Sequence, residues 1–322
     1  MKNTVIYHSA DFDGLFCREI ARKFLPDAEL IGWDHGDKPL AIPDEGQIYI
    51  LDLPVDRVFG LKFPEDAIKT LNLSGDFFTG QQIIWIDHHK SSIETHPTNI
   101  PGYRIDGVAA CRLAWQWFLQ EWRKSQGMIW LLPDKQQFVD RIVQEPLSVR
   151  LAGEYDIWDK RDPNAEAFQF GLRSKDLTPF DWQELLSEKI VPASEGTGME
   201  ISETDLMVAT LLQSGYLLQR YQQAQDSSVM SRSFIAEFEG LKFLALNTPR
   251  CNSLTFASKD VPETGHDALM GFYWTGDQWK VSLYHAKHRT DLDLSLIAVK
   301  RGGGGHRGAC GYQTSVLPVF CS

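Results

Sequence analysis

Gln82-Ile83-Ile84-Trp85-Ile86-Asp87-His88-His89 is the stretch from which the rest of the chain is read. Its four consecutive apolar residues, three of them β-branched, describe a short buried strand that ends abruptly in three polar side chains. Each of those three can ligate a metal or carry a proton. One histidine in such a place is more often structural, whereas Asp-His-His at a strand exit stands where an α/β fold collects its ligands.

Outward from this stretch, other strand exits carry matching residues. Residues 3–7 read as a strand leading into His8-Ser9-Ala10-Asp11-Phe12-Asp13-Gly14, and residues 15–25 have helical spacing stopped by Pro26. Residues 28–33 form a second strand before the turn Asp34-His35-Gly36-Asp37. Residues 47–53 run apolar and deliver Asp52 just before Pro54. An apolar helix is expected over 107–122. A second helical stretch over 136–152, interrupted by Pro146, leads into Tyr155-Asp156-Ile157-Trp158-Asp159. This alternation predicts an α/β fold built on a mostly parallel sheet.

The later half divides less sharply. Short helices with Pro and Gly breaks fill 161–192, and a long helix covers 203–225, apolar first and polar later. Beyond a serine-rich patch, residues 243–246, 268–274 and 279–284 read as strands and 291–299 as a helix. The expected organisation is a first α/β domain over 1–190, a helical linker over 191–228 and a smaller α/β domain over 229–322.

A chain of 322 residues can bury one substantial core and a smaller one. The five cysteines are scattered without a C-x-x-C pair, which predicts a reduced, cytoplasmic setting and no thiolate zinc site. The N-terminal residues read as neither a signal peptide nor a membrane span, so no membrane partner is expected. The net charge is −11, unevenly placed: residues 280–322 carry six basic against two acidic groups, a local +4 that leaves −15 on the rest. That balance disfavours a stable complex with duplex nucleic acid but suits a short anionic ligand reaching one basic end.

His8, Asp11, Asp13, Asp52, Asp87, His88, His89 and Asp156 can be assembled as one cluster. Imidazoles and carboxylates without thiolates suit manganese, magnesium or zinc, and the excess of carboxylates favours manganese. Two neighbouring cations need a bridging carboxylate and several terminal ligands. Together they stabilise charge developing on a phosphoryl group and activate a hydroxide. The competing reading for His8, Asp11 and Asp13 is a polar loop with an aspartate capping a helix. Trp115, Trp117, Trp122 and Trp130 read as packing residues, and no catalytic role is expected of His35, His96 or His266.

The run Gly302-Gly303-Gly304-Gly305-His306-Arg307-Gly308-Ala309-Cys310-Gly311 supplies backbone that a phosphate can approach closely. No Gly-Lys-Ser/Thr follows it, so it is not a Walker loop, and no dinucleotide fingerprint begins at Gly14.

Taken in order, His8-x-x-Asp11-x-Asp13-Gly14, Asp52 after a strand, Asp87-His88-His89 and the late GGGGHRGACG resemble the DHH family of phosphoesterases, in the subgroup with a DHHA1 C-terminal domain. The resemblance spans Thr4 to Gln313. It implies that His8 and Asp11 hold a first cation, that Asp13, His88 and Asp156 hold a second, and that Asp52 bridges them. It further implies that Asp87 orients a ligand, that His89 faces the substrate phosphate, and that Gly303, Gly304, Gly305 and His306 present the substrate's other end. The implied cofactors are two divalent cations, Mn2+ before Mg2+.

Two departures stand out. The segment after Asp156 lacks the threonine and glycine found there in many members, which keeps Asp159 open as a ligand. The segment 282–289 is longer and richer in histidine, with Arg289 as the candidate for the family's substrate-binding arginine. The expected activity is hydrolysis of very short oligonucleotides to mononucleotides, as in nano-RNases. The alternatives are a cyclic- or linear-dinucleotide phosphodiesterase and, from another class, a nucleotide-sequestering protein without turnover. RecJ-like digestion of long single strands is disfavoured because no extended basic groove is evident. A homo-oligomer is compatible with all of these readings.

Overall fold

The computed structural model describes residues 2–43, 46–61, 83–192, 200–249 and 251–318. Gln82 lies outside them. Contacts divide the chain into two units, Met1–Leu218 and Gln219–Ser322.

The first unit is built on the strands β1 (Thr4–His8), β2 (Glu29–Trp33), β3 (Ile48–Leu51), β4 (Ile83–Asp87) and β5 (Gly102–Arg104). They are all parallel, in the order β2-β1-β3-β4-β5. Their two-residue alternation sends side chains to opposite faces. Val5, Tyr49, Leu51, Ile84 and Ile86 enter one core, together with Phe16 and Ile20 of the helix α1 (Phe12–Phe24). Ile6, Ile48, Ile50, Ile83 and Trp85 enter the other, with Val55 and Val58 of α2 (Val55–Phe59). Burial on both faces explains why these strands are apolar throughout rather than alternating. Each such side chain contributes about 1.5–3 kcal/mol when fully buried.

Because β1 pairs with β2 on one side and β3 on the other, the winding reverses between β1 and β3. Crevices at the carboxyl ends of strands form at such a reversal. His8 ends β1 and Asp52 follows β3, so both line it.

After β4 come α3 (Lys90–Thr95), β5 and α4 (Ala110–Ser125). The helical stretch expected over 136–152 is two separate helices, α5 (Lys135–Val139) and α6 (Leu147–Asp156). Arg141 takes a left-handed φ of 57° beyond α5, and Pro146 keeps the chain extended before α6. Next are α7 (Asn164–Arg173), α8 (Pro179–Leu185) and the short pair β6 (Ile190–Pro192) and β7 (Glu200–Ser202).

The helix expected over 203–225 is α9 (Glu203–Val229), and its first half is more than a spacer. Thr204, Met207, Val208, Leu211 and Gly215 are buried, and a Cβ at Gly215 would lie 1.9 Å from the Ala167 carbonyl oxygen. The boundary between the two units therefore falls inside this helix, between Leu218 and Gln219.

The second unit carries β8 (Phe234–Phe238), β9 (Leu241–Asn247), β10 (Ala268–Trp274), β11 (Trp279–His285), β12 (Gly304–His306) and β13 (Ala309–Thr314). Their order is β12-β13-β11-β10-β9-β8, with β9 and β10 parallel and the other pairs antiparallel. The sequence reading missed β8, an edge strand with Ala236 alone fully buried, and both β12 and β13, which pair with each other across the glycine-rich run. The helix expected over 291–299 is α10 (Ser295–Lys300), displaced because Asp293 accepts from Ser295 N at 3.1 Å before the first turn.

No helix among the described residues is long and apolar enough to cross a membrane. Cys17, Cys111, Cys251 and Cys310 are free thiols.

Candidate metal centre

Four segments of the first unit deliver the centre. β1 ends at His8, and the following turn places Asp11 as N-cap of α1, where its Oδ1 accepts from Gly14 N at 3.0 Å. The capping role foreseen as the competing reading is therefore real, and it leaves Asp11 Oδ2 only 3.0 Å from His8 Nδ1. On the next turn, Asp13 is buried and holds the start of α4: its two oxygens accept from Ala110 N at 2.9 Å and Cys111 N at 2.8 Å. Those bonds orient the carboxylate from residues far along the chain.

Asp52 adopts φ 60°, a left-handed conformation that aspartate tolerates better than most residues. From there Oδ2 lies 3.2 Å from His8 Nδ1, and Oδ1 lies 3.4 Å from His88 Nε2. His88 Nε2 also stands 3.6 Å from Asp13 Oδ2 and 3.3 Å from Asp156 Oδ2, at the end of α6. Two donor groups result, His8–Asp11–Asp52 and Asp13–His88–Asp156, each with ligand atoms within 4.8 Å of one another. Asp52 links them through its bond to His8 and its ion pair with His88.

These residues fit divalent cations. Donors about 2.1 Å from an ion and roughly at right angles stand about 3 Å apart, close to the separations found here. Asp52 Oδ1 and Asp87 Oδ2 are buried without a hydrogen-bond partner. Four carboxylates are also crowded together. Burial and then the Asp52 charge push Asp13 up to about 6, while burial and then Asp13 push Asp156 well above the usual carboxylate range. A bound cation relieves that repulsion. Asp52 goes the other way: burial alone would raise it, but the hydrogen bond from His8 and the neighbouring charge of His88 hold it low.

Burial pulls both histidines down, yet their carboxylate neighbours win. Asp11 and Asp52 hold His8 up at about 11, and Asp52 and Asp13 hold His88 up at about 10. Both imidazoles are therefore protonated at neutral pH in the metal-free protein, and a cation must displace those protons. Their contribution to the metal-free fold is complete below the unfolded histidine pKa of about 6.5 and is lost as pH rises through 10 to 11. We expect Mn2+ added to metal-free protein in weak buffer to acidify the solution, and its apparent affinity to rise with pH between about 6 and 9. A pH-stat titration that records no proton release would remove His8 and His88 from the ligand set.

Asp87 has a different task. Its Oδ1 accepts from His88 N at 2.7 Å, His89 N at 3.2 Å and His89 Nδ1 at 2.7 Å, fixing both histidines. His89 is raised: burial lowers it, but the bond to Asp87 more than compensates. With Nδ1 committed, the partly exposed ring directs Nε2 away from Asp87.

Sequence reasoning passed over Asp34. This residue follows β2, and its Oδ1 lies 3.2 Å from His8 Nε2, behind the nitrogen that faces Asp11 and Asp52. A carboxylate on the far nitrogen of a histidine ligand fixes its tautomer and orientation. The signal was present as an Asp-His pair at a strand exit, but a turn explained it equally well.

Asp159 is not gathered with the others. Arg161 holds both its carboxylate oxygens, at 2.9 Å and 2.5 Å, and pulls it below the usual range. Of the histidines given no role, His35 leans on His8 at 5.4 Å between ring centroids, His96 meets Asp56 at 3.0 Å and His266 meets Asp260 at 3.1 Å.

In the second unit Arg289 is engaged by Asp267 and Asp291, at 2.5 Å and 3.0 Å. His306 is exposed on β12, and Gly305 takes φ 129° where a Cβ would meet the Cys310 Cα at 2.6 Å. An open pocket of ≈ 780 Å³ lies beside this run, lined in part by Gly302, Gly303, Lys280, Ser282 and Tyr312.

No protein-family model and no curated protein matches the sequence. Among solved structures, the chain is similar to a pGpG-specific phosphodiesterase from Vibrio cholerae at 16% identity, covering 98% of this chain and 94% of that one with a TM-score of 0.40. It is also similar to the exonuclease RecJ bound to manganese, at 14% identity, 97% and 86% coverage and a TM-score of 0.47. A third is an exopolyphosphatase-related protein from Bacteroides fragilis, at 14% identity, 98% and 88% coverage and a TM-score of 0.46. At these values none of the likenesses decides what the centre does. Its own residues must.

Proposed function

We propose that this chain is a DHH-type phosphoesterase that uses two divalent cations, manganese before magnesium, to hydrolyse phosphodiester bonds in very short oligonucleotides. One observation carries the reading: two donor groups, His8–Asp11–Asp52 and Asp13–His88–Asp156, joined through a single buried aspartate at the carboxyl edge of a parallel sheet. A lone structural metal site does not need a second donor group tied to the first through a buried carboxylate.

When bound, the cations supply Lewis-acid stabilisation of phosphoryl charge and lower the pKa of a water. The chain's own residues do the rest. Asp52 would serve both ion positions, and Asp13, fixed by the start of α4, would keep its place without reorganising. Asp87 anchors His88 and His89. His89, with Nδ1 committed to Asp87, offers its other nitrogen to a phosphate oxygen. Gly303, Gly304, Gly305 and His306 of the second unit are assigned to substrate binding. Arg289 joins them only by exchanging its two aspartates for a phosphate. The free thiols are in keeping with a cytoplasmic enzyme.

The test is a time course with Mn2+ on end-labelled RNAs of two, five and about twenty nucleotides, beside cyclic dinucleotides and pyrophosphate, with Asp87→Ala as control. Loss of the two shortest RNAs alone, absent in the control, is the expected result. Cleavage of a cyclic dinucleotide with every RNA intact would keep the phosphodiesterase chemistry but overturn the oligonucleotide assignment. No cleavage of any substrate would leave a nucleotide-sequestering protein as the better description.

A further inference from the structure

The turn that leaves the metal centre carries a side chain that its backbone does not favour. α6 ends at Asp156, and the chain then closes with Trp158 N donating to Tyr155 O at 3.0 Å and Asp159 N to Glu154 O at 2.8 Å. Between those bonds Trp158 has φ 55°, the left-handed position after a helix that glycine most often fills. A bulky aromatic residue there is a conformational outlier.

Packing does not account for it. Trp158 is 45% exposed and meets Tyr155 only at a tilt, with 5.6 Å between ring centroids. The exposed Lys160 holds its Nζ 4.5 Å from the Trp158 ring. The tryptophan is thus unfavourable in its backbone and nearly half exposed in its side chain. It also lies two residues from Asp156, whose carboxylate belongs to the His88 donor group. Strain held at the rim of a site points to a role there.

We propose that Trp158 is a stacking platform for a nucleobase of the substrate, with Lys160 beside it as the cation for that nucleotide's phosphate. The inference deepens the phosphodiesterase reading and rests on it. An aromatic face accepts any base, because every base has a π-face, and so it supplies affinity without sequence preference. One isolated platform grips a single nucleotide rather than a track of them, which suits a substrate only a few nucleotides long.

The test compares wild type with Trp158→Gly and Trp158→Phe on a dinucleotide and on its analogue lacking one base, with Mn2+. Trp158→Gly is expected to melt about 2–4 °C higher, because glycine suits the left-handed turn. It should also raise the KM for the dinucleotide roughly tenfold with kcat little changed, the size expected for one lost base stack. Trp158→Phe should recover most of the affinity, and the abasic analogue should show little difference between wild type and Trp158→Gly. A more stable Trp158→Gly protein with an unchanged KM would overturn the platform while leaving the phosphodiesterase reading intact. A wild type that turns over neither substrate would overturn both.

Discussion

Asp52→Asn is expected to lower kcat/KM on a dinucleotide by about a thousandfold or more, a loss of the order seen when a main source of transition-state charge stabilisation is removed. Both oxygens of this carboxylate are committed to the centre: Oδ2 stands 3.2 Å from His8 Nδ1, and Oδ1 stands 3.4 Å from His88 Nε2 and 3.7 Å from His89 Nδ1. Asparagine would replace one oxygen with an NH2 group that neither accepts nor ligates, and it would remove the charge that holds two histidines in place. The fold should survive, because asparagine tolerates the left-handed φ of 60° at this position. Steady-state kinetics and a thermal melt on the same preparation separate the two effects. A folded Asp52→Asn protein that kept full turnover would show that the two donor groups do not work through this residue.

Gly14→Ala is expected to damage fold and centre together. A Cβ at Gly14 would lie 1.9 Å from the His8 carbonyl oxygen, 2.7 Å from its carbon and 2.8 Å from the His8 Cβ. The two nearest of these are backbone atoms at the end of a sheet-paired strand, so no flexible side chain can give way. The first turn of α1 would have to slide off β1, carrying Asp11 and Asp13 with it and displacing His8. Overpacking of this kind costs about 1–3 kcal/mol and occasionally more, and we place this substitution at the upper end because a backbone carbonyl is involved. The thermal midpoint should fall accordingly, and Mn2+ affinity, read by calorimetry, should drop at least tenfold. A variant with wild-type melting and wild-type Mn2+ binding would contradict the close approach of α1 to β1.

Particular residues show how far the sequence could be read. His8, Asp52 and Asp87 were visible because each lies at the end of a short apolar run, and hydrophobic periodicity locates strand exits well. Asp11 and Asp13 were visible through the glycine behind them and the helix that follows. The sequence did not reveal that Asp13 is oriented by Ala110 N and Cys111 N, or that Arg289 is held by Asp267. Those contacts join residues far apart in the chain, and local pattern carries no signal for them. Asp34 was hidden for the opposite reason, since Asp-x-x-Asp is an ordinary turn composition.

The second unit was harder to read because its strands depend more on backbone pairing. β12 consists of two glycines and a histidine, a composition that suggests a loop, and only its register against β13 makes it a strand. In the long helix α9 the change from apolar to polar composition was legible. Its meaning was not: the apolar half is packed into the first unit, as the close approach of Gly215 to Ala167 makes plain.

The central claim is that one parallel sheet edge holds two cations through a shared aspartate, and counting bound ions tests it most directly. Equilibrium dialysis of metal-free wild-type protein against Mn2+ at pH 8 should give two ions per chain. A plateau at one ion, or none, would contradict the account.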